Sequence, residues 1–162
     1  MEVRLVRLED AQGVRTIYNH EVLHSTVTFD LVPRDLARQQ AWIVEHSGAH
    51  PALVAVDGSG ALAGFASLSP YRERPAYSTT AEDSVYVERE HRRQGVGLLL
   101  LRRLLELGAA QGFHAVMARV VGGHEASIEL HRACGFRLVG VEQEVGRKFG
   151  RWLDVALMQR ML

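Results

Sequence analysis

The residues best suited to chemistry stand in a short glycine-containing turn, Arg92-Arg93-Gln94-Gly95-Val96-Gly97. The turn follows the β-type run Ser84–Val87 and precedes the apolar series Leu98–Leu105, so the order is strand, turn, helix. Such a turn directs backbone N–H groups outward and adds the positive end of a helix dipole, which suits a pyrophosphate. The spacing Arg-x-x-Gly-x-Gly differs from the dinucleotide fingerprint and from the P-loop. The alternative is a plain connection with a solvated basic face.

Two acidic residues and one histidine are candidates for proton transfer. Glu82 and Asp83 are neighbours in the run Thr79–Val87, which predicts a strand. Because neighbouring strand residues point to opposite faces, only one of these carboxylates can face a given substrate. His131 lies in a predicted helix, Glu125–Cys134, and histidine titrates near neutrality. The alternatives are two solvated acids beside a loop and a half-buried histidine that only packs.

A basic loop, Pro70–Pro75, precedes the Glu82 strand and offers a binding site for an anion. It carries Arg72 and Arg74, and Tyr77 follows shortly after. A guanidinium can hold a carboxylate or phosphinate through two parallel hydrogen bonds. We therefore expect this loop and Tyr77 to lie at the mouth of the site that one of the two carboxylates serves. A solvated basic loop is the alternative, above all for Arg72.

The composition limits the class of protein. The 162 residues suit one domain, and 19 Lys and Arg balance 19 Asp and Glu, so no net charge attracts nucleic acid or an anionic membrane. The single cysteine, Cys134, excludes an internal disulfide and a cysteine-based zinc cluster, and we interpret it as a packing residue. The eight histidines are scattered and predict no metal site. Without a signal peptide or an apolar run of roughly 18 residues, we expect a cytoplasmic protein.

Hydrophobic periodicity and turn residues predict the element order β-α-α-β-β-β-α-β-α-β-β. The predicted strands lie at 3–8, 53–56, 62–66, 79–87, 114–121, 136–145 and 152–158. The predicted helices run from Asp10 to about Leu23, from Pro33 to about Gly48, through the leucine series to Gly112, and from Glu125 to Cys134. This order predicts a mixed α/β domain with helices on both faces of a mixed sheet.

The element order and two motifs resemble the GCN5-related N-acetyltransferase (GNAT) family. The turn 92–97 looks like the acetyl-CoA loop of that family, and Ala126–Phe136 is similar to its late helix and Gly-Phe turn. Further segments, spread over nearly the whole chain, resemble the phosphinothricin and methionine sulfoximine N-acetyltransferase branch. These segments are Ile17–Val22, Thr26–Phe29, Arg72–Tyr77, Ser84–Val87 and Val145–Trp152.

The resemblance implies one GNAT domain over residues 1–162, with a central twisted mixed sheet, helices on both faces and splayed central strands. It also implies acetyl-CoA as the cosubstrate, and no metal is expected. The implied cofactor-binding residues are Val85, Tyr86, Val87, Arg92, Arg93, Gln94, Gly95, Val96, Gly97, His124 and Ser127. The pantetheine arm would pair with Ser84–Val87, and the Val87 N–H would stabilise the oxyanion. His124 departs from the branch, which usually has asparagine there.

The resemblance further implies acetyl transfer to the α-amine of a small amino acid such as phosphinothricin, methionine sulfoximine or methionine sulfone. It selects Glu82 as the base, puts His131 near the cofactor sulfur, and assigns Phe29, Arg74 and Tyr77 to the acceptor. A homodimer is implied, and partners such as nucleic acid or a membrane are not expected. Two alternatives stay open: another acceptor, such as an antibiotic amine or a protein N-terminus, and a non-catalytic acetyl-CoA sensor.

Overall fold

A computed structural model describes residues 1–162. A seven-stranded mixed sheet forms the centre of the protein. The strands are β1 (Glu2–Leu5), β2 (Ala52–Val56), β3 (Leu62–Pro70), β4 (Thr80–Val87), β5 (Ala115–Val121), β6 (Arg137–Lys148) and β7 (Arg151–Met161). The helices are α1 (Ala11–His24), α2 (Leu36–Glu45), α3 (Val96–Ala110) and α4 (Glu125–Ala133). The strands lie in the order β1-β2-β3-β4-β5-β7-β6, and only β4 and β5 pair in parallel. The predicted element order and mixed sheet are confirmed.

Helices cover both faces of the sheet because each presents one apolar stripe to it. On one side, α3 buries Leu100 and Leu104, four residues apart on a single helix face. On the other side, α1 buries Val14 in a core that includes Phe65 of β3. We call these sides the α3 face, which α4 also covers, and the α1 face, which α2 also covers.

Strands β4 and β5 run side by side only over their first residues. Their pairing ends where Glu82 lies opposite Met117. Beyond that point β4 stays paired with β3 as far as Val87, and β5 stays paired with β7 as far as Val121. Because the two strands diverge, a gap opens in the middle of the sheet and one edge of each strand lacks a strand partner. The predicted splay of the central strands is confirmed.

Several element boundaries differ from the prediction, and those of α2 and of the last hairpin matter most for the site. Helix α2 begins at Leu36, three residues late, because Asp35 accepts a hydrogen bond from the Arg38 backbone N–H at 2.8 Å and caps the helix. The connection between β6 and β7 is only the two-residue turn Phe149–Gly150. Its two φ angles, 51° and 72°, are both positive, as a type I′ hairpin turn requires. The two strands are therefore longer than predicted and reach the gap.

Candidate active site

A cavity of about 1320 Å³ passes through the gap between β4 and β5. Its walls are the diverging halves of both strands, the segment after α1, the turn before α3 and the beginning of α4. It therefore connects the α3 face of the sheet with the α1 face. The predicted site residues that line it are Phe29, Glu82, Val85, Tyr86, Val87, Arg92, Arg93, Gly95, Val96, Gly97, His124, Ser127 and His131.

The turn before α3 has the backbone form that close approach of an anion requires. Gly95 has a φ of 81°, and a Cβ built there would meet nothing within 4 Å, so its backbone faces open space. Gly97 serves packing instead, because a Cβ there would lie 3.2 Å from Leu130 and 3.4 Å from Val87. The first N–H groups of α3 have no partner within the helix. Together with the helix dipole, they make this turn suitable for a pyrophosphate.

The polar side chains of the turn before α3 have different structural roles. Arg92 donates from Nη2 to Glu21 Oε1 at 2.6 Å and from Nε to the Val87 carbonyl oxygen at 3.3 Å. Because Glu21 is buried in α1, this ion pair fixes the turn to the rest of the protein. Gln94 donates to a nearby backbone carbonyl at 2.7 Å, and it alone in the turn does not line the cavity. Arg93 lines the cavity, so its positive charge is available to a ligand.

The open edge of β4 directs backbone N–H groups into the gap. The Glu88 N–H donates to the Ala63 carbonyl on the β3 side at 2.9 Å. Because alternate residues of an antiparallel strand bond the same neighbour, the N–H groups of Val85 and Val87 point the other way, toward β5. Since β5 has already diverged, an extended ligand arm can pair with β4 in its place.

Glu82 and Asp83 project to opposite faces of the sheet, as strand alternation predicts. Asp83 lies on the α3 face, where its Oδ2 is 3.0 Å from His131 Nε2. Their side chains are only 2% and 6% exposed, so the pair is buried. Glu82 shares the α1 face with Tyr86, which packs against the core of that side. Glu82 is therefore the carboxylate on the same side as the segment after α1.

Both ring nitrogens of His131 are engaged. Nδ1 lies 2.6 Å from the Ser127 carbonyl oxygen, which can only accept, so Nδ1 carries a proton. Burial lowers the pKa of His131, but the hydrogen bond and charge of Asp83, together with the Ser127 carbonyl, outweigh burial and raise that pKa above its ordinary value. The protonated imidazole is favoured, and neither nitrogen is free to accept a proton. This geometry suits a proton donor or a positioning residue better than a base.

Glu82 has the environment of a proton acceptor. Burial raises the pKa of its carboxyl group, the positive charge of Arg119 opposes that rise, and the nearby Asp83 adds to it. A carboxylate with a raised pKa accepts a proton more readily. Sequence reasoning missed Arg119, which lines the same cavity. The available signal was a lone cation in the otherwise apolar strand Ala115–Val121.

His124 closes the cavity between α4 and the segment after α1. Its Nε2 lies 2.8 Å from Thr26 Oγ1. Burial lowers the pKa of His124, Glu21 opposes this effect, and Arg92 adds to it. A neutral imidazole has one donor and one acceptor nitrogen, so the second nitrogen remains available to a ligand. Ser127 lies one turn further along α4 and also lines the cavity.

The wall on the α1 face is held by the last hairpin. Phe29 packs so closely on β6 that a Cβ at Gly146 would fall 2.3 Å from its ring. Lys148 is buried and donates from Nζ to the Thr28 carbonyl oxygen at 2.8 Å. These two contacts fix the segment after α1 over the cavity. Lys148 therefore positions a wall of the site.

Arg74 and Tyr77 do not line this cavity. They line a second cavity of about 210 Å³ together with Arg72 and Tyr71. The Arg72 guanidinium lies over the rings of Tyr71 and Tyr77, at 5.0 and 5.6 Å from their centroids. A short 3₁₀ turn at 75–77 separates the loop from β4, so closeness to Glu82 in sequence does not bring the side chains together. The expected common mouth is not formed within one chain, and the role of these residues stays a prediction.

Three further observations concern metal binding, membrane-spanning helices and the single cysteine. No group of three or more His, Cys, Asp and Glu side chains is arranged to hold a metal ion. No helix is both long enough and apolar enough to span a membrane. Cys134 is a buried free thiol that does not line the cavity.

The splayed sheet and the cavity through it define the fold of an acetyltransferase, and solved structures agree along the whole chain. A phosphinothricin acetyltransferase from Sinorhizobium meliloti in complex with acetyl-CoA has a TM-score of 0.96 and 38% identity, covering 99% of this chain and 88% of that chain. A ribosomal-protein-alanine N-acetyltransferase from Brucella melitensis has a TM-score of 0.97 and 34% identity, covering 100% of both chains.

Sequence comparison identifies the family. An L-methionine sulfoximine/L-methionine sulfone acetyltransferase from Pseudomonas aeruginosa is 40% identical over 158 residues, which are 97% of this chain and 92% of that relative. The profile of the acetyltransferase (GNAT) family matches residues 14–136. The protein belongs to the GNAT family and is an N-acetyltransferase, as its motifs predicted.

Proposed function

We propose that this protein transfers the acetyl group of acetyl-CoA to the α-amine of a small amino acid of the methionine sulfoximine, methionine sulfone and phosphinothricin class. One observation carries the proposal. A single cavity joins an anion-binding turn on the α3 face to the Glu82 carboxylate on the α1 face. The two substrates of an acetyl transfer can therefore meet in the gap between β4 and β5.

The α3 face provides the residues for acetyl-CoA. The N–H groups at Gly95 and the first turn of α3 bind the pyrophosphate, and the Arg93 guanidinium adds a positive charge. The open edge of β4 pairs with the pantetheine arm through the N–H groups of Val85 and Val87. The Val87 N–H faces the thioester oxygen and stabilises its developing negative charge. When bound, acetyl-CoA supplies the activated acyl group.

The α1 face provides the base. A substrate ammonium has a pKa near 10, by analogy with lysine, so it must lose a proton before it can attack. Glu82 takes that proton, directly or through one water molecule. The amine nitrogen then bonds to the acetyl carbon. As the carbon–sulfur bond breaks, the nitrogen releases its second proton to solvent, and the departing thiolate takes up a proton. His131, on the side of the cofactor, is the proposed source of that proton, once one of its N–H groups leaves its hydrogen bond to Ser127 or Asp83.

The proposed assembly is a homodimer. Strand β6 lies at an edge of the sheet and exposes Val139, Val141 and Val145, so it offers apolar surface to a second copy. Within one chain Arg74 and Tyr77 line a separate cavity, so their predicted role in acceptor binding requires a second subunit to bring them to the site. Sedimentation of a stable monomer at micromolar concentration would contradict the dimer.

We further propose a cytoplasmic enzyme that needs no metal and has neither nucleic acid nor a membrane as a partner. The balanced charge of the chain supports the absence of nucleic-acid and membrane partners. A detoxifying role would fit acceptors of the phosphinothricin type. Activity that survives dialysis against a metal chelator would support the absence of a metal requirement, and lost activity restored by one added metal would contradict it.

The decisive experiment measures thiol release from acetyl-CoA with a panel of acceptors. We expect turnover with methionine sulfone, methionine sulfoximine or phosphinothricin, and poor turnover with polyamines, aminoglycosides and peptides. The similarity to a ribosomal-protein-alanine N-acetyltransferase makes a peptide with N-terminal alanine the most useful competitor. A better rate with that peptide would overturn the proposed acceptor class. Binding of acetyl-CoA without turnover of any acceptor would indicate a sensor.

A further inference from the structure

Arg119 lies on the same face of the sheet as Glu82, on the neighbouring strand β5 and two residues beyond the residue that pairs with Glu82. Glu82 pairs with Met117 in the parallel part of β4 and β5, so these two side chains share the α1 face. Arg119 follows Met117 by two residues and therefore also points to the α1 face. The intervening Ala118 belongs to the core of the α3 face, which agrees with this alternation. Arg119 thus stands across the gap from the proposed base, just where the strands separate.

The guanidinium of Arg119 is held in place by one ion pair, and most of its N–H donors have no partner in the protein. Its Nη2 donates to Glu142 Oε1 of β6 at 2.7 Å, and this is its only side-chain hydrogen bond. Both side chains of the pair are 36% exposed, so solvent and ligands can reach them. Arginine carries five N–H donors in a planar fork, so an edge of the guanidinium remains free for a second carboxylate.

The arrangement of charges on the α1 face fits a free amino acid. The proposed acceptor carries its ammonium and its carboxylate on one carbon atom. Glu82 offers a negative charge for the ammonium, and Arg119 offers a positive charge on the same face for the carboxylate. Both residues line the same cavity, and the positive charge of Arg119 opposes the rise that burial causes in the pKa of Glu82. Peptides and amides lack a carboxylate at this position, so such a site would distinguish them from free amino acids.

From this geometry we infer that Arg119 binds the α-carboxylate of the acceptor and thereby directs its α-amine toward Glu82. The inference rests on the proposed function and names the residue that gives the site its preference for free amino acids. Two simpler roles are possible for this side chain. It could only brace β5 against β6 through Glu142, or it could only adjust the charge of Glu82.

The test compares two acceptors that differ only in the carboxylate: methionine sulfone and 3-(methylsulfonyl)propan-1-amine. The readout is the ratio of their kcat/KM values, compared between the wild type and each variant so that the different basicity of the two amines cancels. Arg119→Gln should lower kcat/KM for methionine sulfone by about 10- to 100-fold, mainly through KM, as expected for a lost charged hydrogen bond. Activity with the amine and the KM for acetyl-CoA should stay nearly unchanged.

Three further variants separate the alternatives. Glu142→Gln breaks the same ion pair but keeps the guanidinium, so it should retain the preference for methionine sulfone. Arg119→Lys should restore part of the preference, because lysine supplies the charge without the fork. Arg103→Gln is the matched control, since Arg103 also pairs with a glutamate, Glu106 at 2.8 Å, but does not line the cavity.

The outcomes are distinct. If Arg119→Gln lowers the activity with both acceptors by the same factor, or if Glu142→Gln loses the preference as well, the inference is wrong. A wild type that prefers the amine without a carboxylate also overturns it. A wild type that acetylates no amino acid, but acetylates a peptide or another amine, overturns the proposed acceptor class itself.

Discussion

Replacing Gly95 by alanine probes the anion-binding turn without changing its charge. Gly95 has a φ of 81°, and the left-handed region costs an alanine about 1–2 kcal/mol. The new methyl group would meet nothing within 4 Å, so no protein clash adds to this cost. The free energy of unfolding should therefore fall by about 1–2 kcal/mol. The methyl group would stand in the cavity, where the pyrophosphate must approach the backbone.

Gly112→Ala is the matched control for this change. Gly112 has a φ of 90°, and a Cβ there also meets nothing within 4 Å. It lies just beyond the other end of α3 and does not line the cavity. The two variants should lose similar stability, which urea unfolding measures, but only Gly95→Ala should weaken the binding of acetyl-CoA.

The expected loss of acetyl-CoA affinity in Gly95→Ala follows from the hydrogen bonds between the turn and the pyrophosphate. A hydrogen bond to a charged group contributes about 1.5–3 kcal/mol, so losing one such bond to the pyrophosphate should weaken binding by about 10- to 150-fold. Isothermal titration of each variant with acetyl-CoA measures this change. If both variants bind acetyl-CoA as tightly as the wild type, the turn is not the pyrophosphate site. If both are equally weakened, the effect comes from stability and the reasoning also fails.

Two further predictions concern the ionisable groups of the cavity. Glu82→Gln should lower kcat by about 100-fold, because it removes the proposed base. The wild-type kcat should rise with pH, since the raised pKa of Glu82 means that the active carboxylate forms only as the pH increases. Glu82→Gln should lack this rise. A larger loss of kcat in Asp83→Asn would reverse the assignment of the base. His131→Gln should destabilise the protein most in acid, because the pKa of His131 in the folded state is raised above 6.5. The contribution of His131 to the free energy of unfolding is therefore complete below about pH 6.5 and is lost as the pH rises through the raised pKa. Urea unfolding of the wild type and the variant at about pH 6 and about pH 9 measures this, and an equal or larger difference at the higher pH would refute it.

The sequence by itself determined the order of elements and the form of the anion-binding turn. Both depend on relations between residues that are close in the chain. The leucines of α3 recur at helical spacing, and Gly95 marks a positive φ at a helix start. The expectation that Glu82 and Asp83 face opposite sides is equally local, because strand alternation requires it. Packing does not change such relations, so the structure preserves them.

The tertiary structure decided which distant residues meet. His131 pairs with Asp83, 48 positions away, and His124 meets Thr26, 98 positions away. Arg119 reaches the α1 face beside Glu82 only because β4 and β5 pair in one register before they diverge. Arg74 is near Glu82 in sequence but lines another cavity. Strand register and the point of divergence depend on the packing of both helical layers against the sheet, and no local pattern in the sequence encodes them.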